Sequence, residues 1–318
     1  MADQDCTAGE LRARLETIRA GFREALHAPN TRLGYGFDWR AFVEWCETIG
    51  AESLPASEET LSLHMMSLFD RNLKCSSVAR RISAVSYMHN QAGLPTPYTK
   101  EIRKLLRGAR RAKLDEVRQV DPLRIEHLRK ISVLLGQDNT DASWRNRAIM
   151  VTGFASALRS ANLAGLHLAD VEFTAKGLIL VIRKEKQDQE GKGRILGIPH
   201  GKHSDTCPVH CLNDWIERRG TWEGPLFSRV GKGRDRAIPL GAERFSIIVQ
   251  ACVRRIGLSW RDFGSHSLRA GFITEAAEAG VSDLLIASQS GHADMDCLRR
   301  YFRRTDVFRV NPLASLDL

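Results

Sequence analysis

The residues Ser290–Arg304, SGHADMDCLRRYFRR, hold one of only four tyrosines in this 318-residue chain. Tyr301 stands between two Arg-Arg pairs, and His292 lies nine residues upstream, directly after a glycine. At helical spacing Tyr301 shares a face with Leu298 and Phe302, which taken alone favours a core tyrosine. The alternative is a phenol placed among cations because it acts as a nucleophile. The rest of the chain has to decide between these two interpretations.

The composition is that of a globular protein with an excess of basic residues. Hydrophobic residues make up 43% of the chain and charged residues 27%, which excludes a disordered chain. The net charge of +9 indicates a polyanionic partner. Seven scattered cysteines, an N-terminus without the apolar segment of a secretory signal and the lack of any bilayer-length apolar run predict reduced thiols and no membrane partner. We expect a cytoplasmic protein.

The first third of the chain has the apolar periodicity of helices only. Prolines and glycines separate the periodic runs, which predict helices at about 10–28, 35–45, 58–71, 75–91 and 98–113. Residues 108–121 contain almost no large apolar side chain and precede Pro122, which predicts an interdomain linker. The predicted domains are therefore a helical one over 1–107 and a second one over 122–318.

The second domain mixes helices with a small β-rich section. Helical periodicity covers about 123–136, 142–157 and most of 209–304. Between them, the apolar runs at 178–182 and 194–198 flank a polar turn and predict a β-hairpin. The predicted fold class is mainly α with a small antiparallel β-sheet, that is, an all-α N-terminal domain and an α+β C-terminal domain.

Two helices of the first domain carry basic side chains suited to nucleic acid. Seven of the fourteen residues from Lys100 to Lys113 are Lys or Arg. A single helical face would present Lys100, Arg103, Lys104, Arg107 and Arg111 to DNA phosphates. A preceding helix offers side chains for phosphates or base edges, namely Lys74, Ser76, Ser77, Arg80 and Arg81. The alternative for the row is a solvated face beside the linker.

Four separated pieces of the second domain carry chemistry. Arg159 lies between two apolar helical stretches and needs a partner if it is buried, such as the carboxylate of Asp170. The hairpin turn carries lysines that are either proton donors or solvated, Lys184, Lys186 and Lys192. His266 and Arg269 are one helical turn apart, a pattern common by chance. The fourth piece is the opening stretch.

In this order the four pieces resemble the active-site set of the tyrosine recombinases, the phage integrase family. The steps of 23 residues from Arg269 to His292 and of nine from His292 to Tyr301 fit the family. The turn IRKEKQDQEGKGR is similar to the family's RSKTDQEG type of turn, and this similarity selects Lys186. The segments NTRLGYGFDWRAFVEWC, SSVARRISAVSYMHNQAG and YFRRTDVFRVNPL extend the resemblance to residues 30–314.

The resemblance implies a role for each residue of the set. Arg159 and Arg269 would contact the non-bridging phosphate oxygens, and Tyr301 would attack the phosphorus. His266 would act as acid and base for the tyrosine proton, and Lys186 would protonate the departing 5′-oxygen. His292 would bond the phosphate or orient the site.

The resemblance also implies the reaction and its partners. A core-binding domain and a catalytic domain would form a clamp around double-stranded DNA with inverted-repeat core sites. A covalent 3′-phosphotyrosyl intermediate and a Holliday junction would form in a homotetramer on two DNA sites, without a nucleotide or other cofactor. The alternatives are a catalytically silent DNA-binding accessory protein and a type IB topoisomerase. A DNA-acting enzyme of this kind is expected at the nucleoid.

One position departs from the family. Three residues after the first arginine the family usually carries an acidic residue, whereas this chain has Asn162. An amide would orient Arg159 less strongly than a carboxylate, so we expect a reduced rate or stability with the activity retained.

One segment of the second domain carries the residue types of a zinc motif. The segment Cys207-Pro-Val-His-Cys211, with His200 and His203 nearby, contains metal-binding residue types. Its spacing matches no standard closed zinc site, and Pro208 is typical of the first turn of a helix. We therefore expect no metal.

Overall fold

The computed structural model describes residues 29–113, 119–183, 193–221, 223–231 and 237–292, with isolated residues at 9, 14, 15, 17, 18, 294, 295 and 298. Most of the predicted helix at 10–28, the hairpin turn with Lys184, Lys186 and Lys192, and Tyr301 lie outside the described residues. The chain divides into two compact units, Met1–Val117 and Arg118–Leu318.

The first unit is helical throughout its described part. Its helices are α1 (Pro29–Ile49), α2 (Glu58–Asp70), α3 (Cys75–Gln91) and α4 (Lys100–Lys113). Ser57 caps α2, because its hydroxyl accepts a hydrogen bond from the Thr60 amide at 3.0 Å. The apolar faces of the four helices meet in one core that includes Phe42, Leu61, Met65, Ile82 and Ile102. The predicted helices at 58–71 and 75–91 agree with α2 and α3 within one residue.

The end of α4 overlaps the first residues of the predicted linker. Residues 108–113 continue the helix to Lys113, and the two units divide between Val117 and Arg118. Lys113 ties this end to the unit, since its Nζ donates to the Leu73 carbonyl at 3.0 Å and lies 5.5 Å from the Phe69 ring centroid. Alanine, arginine and lysine favour helices, so the helix predicted at 98–113 continues through this turn although the turn supplies little apolar bulk.

The second unit is built around one deeply buried helix. Its helices are α5 (Ile125–Gln137), α6 (Asp141–Ser156), α7 (Ser160–Ala164), α8 (Pro208–Arg219), α9 (Ala242–Arg255), α10 (His266–Glu278) and α11 (Asp283–Ser290). A capping box of Thr140 and Ser143 begins α6, and every residue from Arg147 to Phe154 is buried. A helix buried on all sides is the centre of its domain. It packs against α5, α8 and α10.

A three-stranded antiparallel sheet completes the unit. Its strands β1 (Val171–Thr174), β2 (Gly177–Ile182) and β3 (Arg194–Pro199) lie in the order β1-β2-β3. Leu180 pairs with Leu196, and Ile182 pairs with Arg194 at the base of the hairpin. The predicted hairpin and the mainly α fold class are confirmed. The prediction missed β1, whose four residues are too few for a clear alternation.

Candidate active site

Arg269 lies at the centre of the candidate site and is only 1% exposed. It projects from the first turn of α10. Its Nη1 donates to the Ala157 carbonyl at 2.8 Å and also to the Ser290 carbonyl, and its Nη2 lies 2.8 Å from Nε2 of His292. One guanidinium thus joins the ends of α6 and α11 to the Gly-His motif.

Both helices end in a left-handed residue at this point. Ala157 caps α6 with φ 50°, and Gly291 caps α11 with φ 68°. Glycine adopts this conformation without strain, whereas alanine does so at a cost of about 1 kcal/mol. The Gly291 turn returns the chain toward the helix end, so that His292 meets Arg269 and the backbone NH of His292 still bonds to Ala287 at 3.1 Å. The glycine of the motif therefore lets the chain make this turn without strain.

The hydrogen bonds of His292 select one neutral tautomer. The Ser290 hydroxyl donates to the Ile286 carbonyl at 2.6 Å, so its oxygen accepts from Nδ1 of His292 at 2.7 Å. Nε2 is then the acceptor for Nη2 of Arg269. Burial lowers the pKa of His292 to about 4, and electrostatic interactions with Arg269, Arg159 and His266 add to this effect.

His266 and Arg159 belong to the same cluster of charges. Desolvation, then Arg269 and Arg159, lower the pKa of His266, although this first residue of α10 keeps an exposed surface. Arg159 is half-buried and precedes α7 as its N-terminal cap. The suggested structural pair of Arg159 with Asp170 is wrong, because Asp170 binds Nε of Arg183 at 2.6 Å and the His167 amide at 2.9 Å.

The structure brings together four of the six predicted catalytic residues, Arg159, His266, Arg269 and His292. The other two, Lys186 and Tyr301, lie outside the described residues. The base of the hairpin adjoins the cluster, because Nη1 of Arg194 donates to the carbonyls of Ser288 and Gln289 at 2.7 and 2.9 Å. In the described part of the chain, the site is a group of two arginines and two histidines at helix ends.

Comparison with known proteins agrees with this arrangement. The model of the phage integrase family matches residues 127–307, more than half of the chain. An integrase/recombinase XerD homolog from Selenomonas ruminantium is 30% identical over 298 residues, covering 92% of this chain and 87% of the relative. The chain belongs to the phage integrase family. It is a tyrosine-type site-specific recombinase, a DNA breaking and rejoining enzyme.

More distant relatives extend the likeness over nearly the whole recombinase. The Cre recombinase of Escherichia phage P1 is 24% identical, covering 95% of this chain and 91% of the relative. The structure of the Tn1549 transposon integrase in complex with transposon right end DNA covers 91% of this chain and 94% of its own, with a TM-score of 0.63 at 13% identity. A lambda integrase dimer bound to a core site covers 91% and 95%, with a TM-score of 0.58 at 17% identity. At these identities the two structures show a shared fold.

Sequence reasoning missed the residues that hold the recombinase's arginine in place. Ala157 and Ser290 act through backbone carbonyls, which any residue type supplies. Arg194 gives no signal beyond its place at the start of a strand. Their positions next to the motifs are a signal: Ser290 directly precedes Gly-His, and Ala157 lies two residues before Arg159. Asn162 lies half-buried in α7, where its backbone NH donates to the Arg159 carbonyl at 2.9 Å.

The predicted basic row of α4 is accessible. All five of its members are exposed, namely Lys100, Arg103, Lys104, Arg107 and Arg111. The buried residues of α4, Ile102 and Leu106, lie on the opposite face. Lys104 pairs with Glu101 at 3.3 Å in an exposed contact, and such pairs contribute little. The helix therefore presents an exposed row of cations.

The predicted basic face of α3 is more restricted. Lys74 and Ser76 are exposed and Ser77 is half-buried. Nη1 of Arg80 lies 2.9 Å and Nε of Arg81 lies 3.8 Å from the buried carboxylate of Asp38, and their side chains are 52% and 24% exposed. Asp38 holds both arginines in place. Because Arg80 is the more exposed, it is the better placed of the two to reach a partner.

No helix in the described ranges is long and apolar enough to cross a bilayer.

Proposed function

We propose that this recombinase cleaves a DNA strand by attack of Tyr301 on the scissile phosphate, forming a covalent 3′-phosphotyrosyl intermediate. The observation that carries the proposal is the buried Arg269, held by two backbone carbonyls and directed at His292, with Arg159 and His266 in the same electrostatic cluster. A cationic cluster of this kind matches the charge that develops on a phosphodiester in the transition state.

Each member of the cluster has a step in the reaction. Arg159 and Arg269 neutralise the non-bridging oxygens, since guanidinium groups stay charged at any working pH. The lowered pKa of His266 keeps its ring neutral near pH 7, so it can accept the Tyr301 proton. His292, whose two ring nitrogens bond to Ser290 and Arg269, orients the Arg269 guanidinium for the phosphate. Lys186 protonates the departing 5′-oxygen.

The phosphotyrosyl bond stores the free energy of the cleaved phosphodiester. A 5′-hydroxyl of another strand then attacks this bond, which releases Tyr301 and rejoins the DNA through a Holliday junction. The chemistry therefore needs no nucleotide. Because one exchange joins two duplexes, four copies of the chain act on two inverted-repeat core sites, with the helical unit and the catalytic unit clamping the DNA. We place this activity in the cytoplasm, at the nucleoid.

A nicked suicide substrate tests the proposal. The DNA is the inverted repeat next to the gene, with a nick that lets the 5′-hydroxyl fragment diffuse away. We expect a covalent protein–DNA adduct whose modified peptide, identified by mass spectrometry, contains Tyr301. Tyr301→Phe should form no adduct, and Tyr87→Phe, a matched change in the helical unit, should leave adduct formation unchanged.

Two outcomes would overturn the proposal. An adduct formed equally by Tyr301→Phe would exclude this nucleophile. No adduct on any native site, with specific DNA binding retained, would support the accessory DNA-binding protein instead. Supercoiled plasmid carrying two sites separates the remaining alternative, because relaxation without recombinant product indicates a topoisomerase.

A further inference from the structure

We propose that His200, Cys207 and His210 form a binding site for a borderline divalent cation of the Zn²⁺ class. One ligand atom of each residue lies within 4.8 Å of those of the other two. Thiolate and imidazole are the ligands that Zn²⁺ prefers. This site goes beyond strand exchange and departs from the expectation, drawn from the sequence, that the chain binds no metal.

The three ligand atoms would have to move only slightly closer together to bind one Zn²⁺ ion. Zn²⁺ binds sulfur at about 2.3 Å and nitrogen at about 2.0–2.1 Å, so tetrahedral ligand atoms lie roughly 3.3–3.7 Å apart. The two histidines can supply the adjustment of about 1 Å, because both are exposed and turn about their side-chain torsions. Their rings are 6.0 Å apart and inclined by 62°, not stacked, which lets both direct a nitrogen at one point.

Cys207 is the fixed member of the site. It is completely buried and directly precedes α8, whose first residue is Pro208 as predicted. The Gly201 amide donates to its sulfur at 3.3 Å. A side chain on Gly201 would come within 2.9 Å of Cα of Cys207, so glycine permits this approach. Backbone amides directed at sulfur are the outer-shell contacts that hold a metal thiolate in place.

The fold creates a ligand set that the spacing of the motif conceals. Cys207 and His210 lie three residues apart at the start of α8, on one helical face. His200 follows the end of β3. A short 3₁₀ turn over Ser204–Thr206 then leads the chain to Cys207 and α8. The segment Cys207–Cys211 also offers Cys211, but its thiol contacts the Asp205 carbonyl at 3.4 Å. Three protein ligands leave a fourth position for water.

The site lies at the opposite end of β3 from the catalytic cluster. Arg194 begins the strand beside α11, and Pro199 ends it directly before His200. Five steps of about 3.3 Å place the two ends roughly 17 Å apart. A bound cation would therefore clamp the connection between β3 and α8 rather than take part in phosphodiester chemistry.

Metal titration of the full chain tests this inference. Protein without an affinity tag is stripped with a chelator and titrated with Co²⁺. We expect a thiolate-to-metal charge-transfer band that saturates at one equivalent and is bleached by Zn²⁺. Competition with a chromophoric chelator then gives the Zn²⁺ affinity, and a thermal scan should show a Tm that rises with Zn²⁺.

Variants of the two exposed histidines decide the outcome, since Cys207→Ser changes a buried residue and can disturb folding. His200→Ala and His210→Ala should each weaken Zn²⁺ binding by at least about 100-fold, the upper range for losing an outer-shell contact. His203→Ala, an exposed histidine of the same segment outside the cluster, should keep the wild-type affinity. A double variant His200→Ala/His210→Ala that binds Zn²⁺ as tightly as wild type, or a wild-type protein without the cobalt band, would overturn the site. DNA cleavage is not the readout, so this result is independent of the proposed recombination chemistry.

Discussion

At the scale of single residues, the hydrogen bonds that offset the burial of the Arg269 charge are the most informative feature. A buried guanidinium is costly unless its N–H groups are bonded. Here two of its acceptors are carbonyls at the C-terminal ends of α6 and α11. The last carbonyls of a helix, which have no partner within the helix, carry partial negative charge and stabilise a cation. Compensation by dipoles holds the arginine in place and leaves its full positive charge for a phosphate.

The neutral His292 leads to a prediction about pH. Its pKa is lowered from 6.5 to about 4 in the folded protein, so the unfolded chain binds its proton first as the pH falls. The contribution of His292 to stability is therefore complete above pH 6.5 and is lost as the pH falls toward 4. We expect the ring resonances of His292, followed by NMR in the protein without DNA, to titrate near pH 4.

Variants separate the causes of this shift. Arg159→Gln removes a positive charge that lowers the pKa of His292 and should raise it toward 6.5. Arg229→Gln removes an exposed charge that is not among the causes of the shift and should leave the titration unchanged. A wild-type His292 that titrates near 6.5 would contradict the neutral assignment.

At the scale of elements, α10 organises the catalytic unit. It supplies His266 and Arg269 on one side and packs against the chain segment before α5 on another. The Leu123 amide bonds to the Ser267 carbonyl at 2.9 Å, and a side chain on Gly271 would approach the Leu123 carbonyl oxygen to 2.0 Å. Gly271 therefore permits a backbone contact that fixes α10 in place.

We predict that Gly271→Ala lowers the free energy of unfolding by at least about 2 kcal/mol, because the neighbouring atom is backbone and cannot move aside as a side chain can. Gly136→Ala in α5 is the matched control, since its nearest neighbour would be 3.8 Å away at a side-chain end of Arg147. The control should be neutral or slightly stabilising. Urea denaturation of both variants measures the difference, and equal effects would show that the close approach to Leu123 is relieved at little cost.

The elements also show where sequence patterns succeed and fail. Apolar periodicity predicted α2 and α3 within one residue because each buries a face against one core. The same criterion missed β1, because its four residues are too few to form a clear alternation. Lys113 stabilises the α4 end through a carbonyl and a ring, which are contacts that no local pattern encodes.

At the scale of the whole molecule, part of the net charge of +9 lies in the exposed basic row of α4. Each phosphate contact releases counterions and adds about 0.9 to the slope of log K against log salt concentration. We predict that the double variant Arg107→Gln/Arg111→Gln reduces this slope by up to about 1.8 and weakens binding similarly for all DNA sequences. Fluorescence anisotropy with a labelled duplex over a range of salt concentrations measures it.

The control for this prediction removes an exposed charge from a different element. Arg71 lies at the end of α2, outside the row. Arg71→Gln should leave the slope within error of wild type. An equal decrease in both proteins would indicate a general effect of net charge, and no decrease in either would exclude the α4 row as a DNA contact.

The sequence by itself determined the helical first unit, the hairpin and the ordered set of residues that identifies the family. Periodicity and short motifs are local, so they can be read along the chain. Only the tertiary structure decided what surrounds those residues. One acceptor of Arg269 lies 112 residues away, at Ala157. The partner of Asp170 is Arg183 and not Arg159. Backbone carbonyls leave no sequence signal because any residue type supplies them. His200 and Cys207 leave none because a turn between them, and no regular spacing, brings their side chains together.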